Sequence, residues 1–86
     1  MMLIGDIGNT DTKICIINSN YKIIKKLIIS TNKINNSLLT NKLSFLIKKK
    51  IIIKNSLFCS VVPNKFFLIK KFLNKKFKSK CIELKS

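Results

Sequence analysis

Short apolar runs broken by polar turns fill the first third of the chain, and stretches with an apolar residue at every third or fourth position fill much of the rest. Met2 to Ile7 is nearly all apolar, as expected of a central strand covered on both faces. Thr12 to Asn18 sets Ile14 and Ile16 on one face and Cys15 and Ile17 on the other. Lys22 to Ile29 mixes lysine pairs with isoleucine pairs, which suits an exposed strand toward a sheet edge, where Lys also discourages unwanted pairing. Gly8-Asn9-Thr10 and Asn18-Ser19-Asn20 have the composition of tight turns and join the three runs into a meander.

Ser30 to Asn36 is polar and reads as an irregular loop. Ser37 then offers a cap for a helix running to about Lys50, with Leu39, Leu43, Leu46 and Ile47 on one stripe that would pack on the sheet. Ile51 to Asn55 is compatible with a helix end, a bridge or a strand start. Leu57 to Val62 is apolar throughout and is closed by Pro63, which cannot donate to a sheet ladder. A second helix is expected from Asn64 to about Phe77, with Phe66, Ile69, Leu73 and Phe77 at helical spacing. Cys81 to Leu84 is a last short strand. The order is βββαβαβ, and the right-handed crossover rule places the later strands parallel to the first. The predicted fold is α/β: a ribonuclease H-like lobe, a mixed sheet with two helices, spanning 1–86 as one small domain.

Composition changes this picture little. The 86 residues include 18 basic side chains, all Lys, against Asp6, Asp11 and Glu83, a formal net charge of +15 with no His. Such a balance ordinarily suggests nucleic acid or an anionic membrane. Ile, Lys and Asn together make up about half of the chain, while Ala, Arg and Trp are missing, the mark of a preference for A/T-rich codons. That bias spreads lysine over every solvated position instead of clustering it on one face, and Tyr21 and the six Phe read as core formers. Lys48-Lys49-Lys50 and Lys75-Lys76 suit solvated helix ends. Cys15, Cys59 and Cys81 are odd in number, far apart and without His partners, so they read as small apolar residues in a reducing cytoplasm. No apolar run approaches the length of a membrane span. A soluble cytoplasmic protein is expected, with neither nucleic acid nor membrane as partner.

The chemistry-bearing stretch is the tip of the first hairpin. Gly8 allows close backbone approach and φ > 0, letting neighbouring N–H groups converge on a phosphate, and Thr10 and Thr12 add hydroxyl donors. Asp6 beside such a turn would repel a bare phosphate and fits only with a cation between them, as hard oxygen ligands hold Mg²⁺. On spacing alone, an ordinary hairpin whose Asp and Asn satisfy their own backbone is the plainer account.

Three short strings shift that balance. Asp6-Ile7-Gly8-Asn9-Thr10 resembles the amino-terminal phosphate motif of the type III pantothenate kinases, members of the actin, sugar-kinase and Hsp70-like ATPase superfamily. Ile29-Ser30-Thr31 is similar to that family's motif at the end of the third strand, and Ser60-Val61-Val62-Pro63 to its motif after the fourth. Gly5 stands where the family usually has an apolar residue. The resemblance implies transfer of the γ-phosphate of ATP to pantothenate, the first step of coenzyme A biosynthesis, with Mg²⁺ and a monovalent cation (K⁺ or NH₄⁺), by homodimers of two-lobed subunits. It also implies that Asp6, Ile7, Gly8, Asn9, Thr10, Asp11, Thr12 and Lys13 line the ATP phosphates, with Asp6 near the metal.

The family's Gly-x-Asp-Arg motif, which binds pantothenate and supplies the catalytic base, does not occur in the 86 residues, and neither does its second phosphate motif. No catalytic residue is therefore assigned. The resemblance covers the amino-terminal part of a typical family member and lacks the second lobe, so the 86 residues alone are expected to be inactive. The alternatives are another kinase or phosphatase of the superfamily, a small basic nucleic-acid-binding protein, or a non-catalytic regulator built on the kinase fold.

Overall fold

The computed structural model describes residues 1–84. Five strands form one mixed sheet: β1 (Met2–Ile7), β2 (Asp11–Ile17), β3 (Ile23–Ser30), β4 (Asn55–Ser60) and β5 (Lys80–Glu83). Their spatial order is β3-β2-β1-β4-β5. β2 runs antiparallel to both β1 and β3, while β4 lies parallel to β1 and β5 parallel to β4. Three α-helices, α1 (Asn36–Lys42), α2 (Ser44–Lys48) and α3 (Pro63–Phe77), complete the lobe, with a single 3₁₀ turn at Thr31–Lys33. This is the α/β, ribonuclease H-like arrangement that the pattern predicts, with the meander first and the parallel strands after.

Several details differ. The first helix begins two residues earlier than expected because Asn35, not Ser37, caps it: the Asn35 side chain accepts the Leu38 N–H at 2.7 Å. It is also broken at Leu43, whose ψ of 14° leaves the helical range. No Gly or Pro sits at the break, and the bend keeps Leu39, Leu43 and Leu46 all within the core. The Ile51–Asn55 stretch is irregular until β4 starts at Asn55, and it drops Ile53 into the core while Ile52 stays out. α3 opens with Pro63 in its first turn, where the missing N–H costs nothing, and ends at Lys78 in the left-handed region, φ 53°.

The buried strand positions fall in register: Leu3, Gly5 and Ile7 beside Thr12, Ile14 and Ile16, then Leu27 and Ile29, Ser56 and Phe58, and Cys81. All belong to the face on which the helices pack. β1 is therefore not covered on both faces as its composition suggests. Ile4 is 39 % exposed and Asp6 is exposed, because among the described residues no element lies over the second face. Tyr21 is likewise no core former: it sits at a hairpin tip, 85 % exposed, and Phe67 is on the outer side of α3. Phe58, Phe66, Phe72 and Phe77 do build the core, together with Ile69 and Leu73. Cys81 is buried, which pushes its thiol up to about 11 against a smaller opposing pull from Lys70, whereas Cys59 is exposed on the open face.

Gly5 has a packing reason. A Cβ built there would run into the Phe58 ring, so the largest core side chain of β4 lies directly over the glycine. The departure at position 5 is thus matched by an aromatic ring at position 58.

Candidate functional site

β1 and β2 meet in a four-residue turn, Gly8 to Asp11, closed by the Gly8 N–H donating to the Asp11 carbonyl at 3.0 Å. Gly8 does not take positive φ, contrary to the expectation from sequence. It is needed for proximity: a Cβ there would sit 3.0 Å from the Asp11 oxygen, against the bond that closes the turn.

Two further segments reach the same end of the sheet. β3 delivers Thr31, whose N–H donates to the Thr10 carbonyl at 2.9 Å and whose hydroxyl donates to the Gly8 carbonyl at 2.8 Å. The Thr12 and Thr31 hydroxyls lie 2.8 Å apart, both buried. Thr31 has one hydroxyl proton and gives it to a carbonyl that can only accept, so Thr12 must be the donor between the two. β4 delivers the Ser60–Pro63 turn: the Val61 N–H bonds the Ile7 carbonyl at 3.0 Å and the Val62 N–H bonds the Ser60 hydroxyl at 3.0 Å. The strings Asp6–Thr10, Ile29–Thr31 and Ser60–Pro63, far apart in sequence, therefore converge where β1, β3 and β4 all end. Crevices beyond the carboxyl ends of strands are where open α/β sheets bind ligands.

The individual residues divide by face. Asp6 and Lys13 are register partners across the β1–β2 pair, both exposed on the open face, with Cys59 as the Asp6 partner on β4. Asn9, Thr10 and Asp11 are exposed at the tip, and Gly8 is half-buried. Ile7 is fully buried and offers the site only its backbone. Thr12 is the second correction. It is fully buried with its hydroxyl proton committed to Thr31, so it adds no donor to the outer side of the turn.

Sequence reasoning singled out Thr31 only as part of a motif and passed over Lys65. The Lys65 ammonium reaches the Ile34 carbonyl at 3.0 Å and pins the segment after β3 to the first turn of α3. A lone lysine among 18 gives no signal of this.

The turn lies open to solvent. Two depressions of about 470 Å³ are elsewhere, one lined by Met1, Ile17 and Asn18 at the other end of the sheet and one by Phe67, Lys70 and Cys81 beside α3. Among the described residues no group of three or more His, Cys, Asp or Glu is placed to hold a metal ion, and no helix is long and apolar enough to cross a membrane.

Comparison with known proteins agrees with the three converging strings. The family model for type III pantothenate kinase matches residues 2–86. The type III pantothenate kinase of Pelagibacter ubique (strain HTCC1062) is 53 % identical over 85 residues, which is 99 % of this chain and 34 % of that protein. The chain thus spans about a third of the length of the curated relative it matches. With the family model covering essentially all of it, the chain belongs to the type III pantothenate kinase family.

Proposed function

We propose that this chain supplies the ATP-phosphate-binding part of a pantothenate kinase, the enzyme that phosphorylates pantothenate on the way to coenzyme A, working in the cytoplasm. The observation that carries the reading is the convergence of the hairpin turn, Thr31 and the Ser60–Pro63 turn at one end of the sheet. Phosphoryl transfer asks the protein mainly for positioning and charge neutralisation. The exposed tip, Asn9 to Asp11, presents backbone donors and the Thr10 hydroxyl to the phosphates, and Lys13 adds a cation on the adjacent face.

Asp6 fits a magnesium ion. It is an exposed hard-oxygen ligand beside the turn, and Mg²⁺ is commonly held by one or two carboxylates together with substrate phosphates and water. When bound, Mg²⁺ supplies neutralisation of the phosphate charge. Asp6 is positioned for this by its place at the end of β1, with Lys13 as its register partner across the β1–β2 pair. A monovalent cation, K⁺ or NH₄⁺, has no carboxylate cluster of its own among the described residues.

The described chain offers no general base for the pantothenate hydroxyl. Asp6 and Asp11 belong to the phosphate turn, and Glu83 sits half-buried on β5. On this reading the base, the pantothenate pocket and the dimer contacts belong to the other two-thirds of the kinase. The test is a pair of assays. The 86-residue chain alone with ATP, Mg²⁺ and pantothenate gives no turnover, and Asp6→Ala in an assembled kinase containing this segment removes activity. Turnover by the clean chain, or an unchanged rate for Asp6→Ala, overturns the assignment.

A further inference from the structure

The geometry points to Thr31 as the residue that positions the phosphate turn, aiming the N–H of Asn9 outward without itself touching the ligand; this rests on the turn being the phosphate site proposed above. Thr31 is only 2 % exposed and makes three hydrogen bonds to the hairpin from behind. Two of them hold carbonyls: its hydroxyl takes that of Gly8 and its N–H takes that of Thr10.

A trans peptide is planar, with its C=O and the following N–H pointing in opposite directions. Among the described residues every peptide bond is trans. Drawing the Gly8 carbonyl inward therefore turns the Asn9 N–H outward, while the Thr31 N–H on the Thr10 carbonyl ties the second half of the turn to the segment that follows β3. The Asn9 N–H finds no backbone acceptor among the described residues. A backbone donor on the exposed side of a tight turn, held there before any ligand arrives, is the kind of group from which backbone anion sites are built. Its direction is set by a side chain 23 residues away.

The arrangement has backing on both sides. Thr12 fills the remaining acceptor position of the Thr31 hydroxyl, which fixes that hydroxyl's proton toward Gly8. Behind it, the Thr31 carbonyl accepts the Ile34 N–H, and the Ile34 carbonyl accepts from Lys65. Among the described residues no buried side-chain polar atom lacks a partner, so the cluster is closed and Thr31 is its centre. Valine at position 31 keeps the shape and the backbone bond and removes only the hydroxyl, leaving the Gly8 carbonyl and the Thr12 hydroxyl without it. Serine restores the hydroxyl.

The experiment follows the backbone amides of the whole chain by NMR during titration with Mg·ATP, for the wild type, Thr31→Val and Thr31→Ser. The expected result is that the Asn9 amide moves most in the wild type. Thr31→Val then weakens binding about tenfold, the factor of one well-made hydrogen bond, and Thr31→Ser recovers most of it. A purely structural Thr31 would lower the melting temperature but leave the affinity of the folded protein unchanged, and a folded Thr31→Val binding within twofold of wild type overturns the inference. If the valine variant does not fold, Thr12→Val, which removes a single bond of the cluster, takes its place with an expected loss of about threefold. If the wild type itself shows no response to Mg·ATP, the phosphate-site reading fails, and hydrogen exchange then decides the positioning role separately. Thr31→Val should speed exchange of the Gly8 and Thr31 amides about tenfold while leaving Leu3 and Ile14 unchanged, and equal rates at Gly8 and Thr31 would sink it.

Discussion

The meander contains two hairpin turns of similar length that solve the same problem in opposite ways. In the turn from Asn18 to Lys22 every requirement is met locally. The Asn18 side chain accepts from the N–H groups of Asn20 and Lys22, at 2.9 and 3.0 Å, its backbone bonds Lys22 and Tyr21, and Tyr21 takes up the left-handed conformation at φ 61°. In the turn from Gly8 to Asp11 the Asn9 side chain forms no such bond, and the carbonyls are held by Thr31 instead. The plain reading, an Asx residue satisfying its own turn, is correct for the second hairpin and wrong for the first. A turn that satisfies itself has nothing left for a ligand. A turn held from behind keeps its outward donors free.

Substitutions can break this contrast or sharpen it. The largest expected effect comes from Gly5→Val on β1, where a side chain would be driven into the Phe58 ring. Overpacking of this severity should cost about 3 kcal/mol, loosening both turns together, and a chemical-denaturation midpoint close to wild type would contradict it. Next is Thr31→Val, which orphans two buried polar groups and should cost about 2 kcal/mol, with the amide changes confined to the first turn and its neighbours. Asn18→Ala should cost about 1 kcal/mol and disturb only the second turn, since its bonds are all within five residues; spread of the disturbance to Gly8 would show that the turns are not independent. The smallest effect has the opposite sign. Tyr21→Gly relieves a left-handed tyrosine and should raise stability by about 0.5 kcal/mol, read as a higher melting temperature, with no change in any response of the first turn to Mg·ATP.

The same division between local and distant control explains which expectations from sequence hold. The stripes Leu39, Leu43, Leu46 and Phe66, Ile69, Leu73, Phe77 are buried as their spacing predicts, because helical periodicity is a property of the segment alone. β3 is the exposed edge strand that its paired lysines suggest. The cap at Asn35 was missed because two Asn and a Ser in succession all qualify, and only the folded chain shows which one reaches Leu38. The all-apolar β1 reads as doubly covered, yet Ile4 and Asp6 face outward. Apolar composition states what a strand tolerates, while the layers around it decide what it meets.

At the site, the string from Asp6 to Thr10 was legible as a candidate, and its two companions were legible as resemblances. Their meeting at one end of the sheet was not, since it depends on strand order and register. Nor was the inward turn of Thr12, which looks the same in sequence as the exposed Thr10 two residues before it.

Sequence by itself determined the elements, the meander followed by parallel strands, the helix faces and the family, because these follow from periodicity and from short strings that local physical chemistry restricts. Tertiary structure alone decided that Phe58 requires a glycine opposite it, that one face of the sheet stays open, and that Thr31 holds the turn. Those outcomes come from contacts between residues about twenty to fifty positions apart, whose geometry no local pattern along the chain encodes.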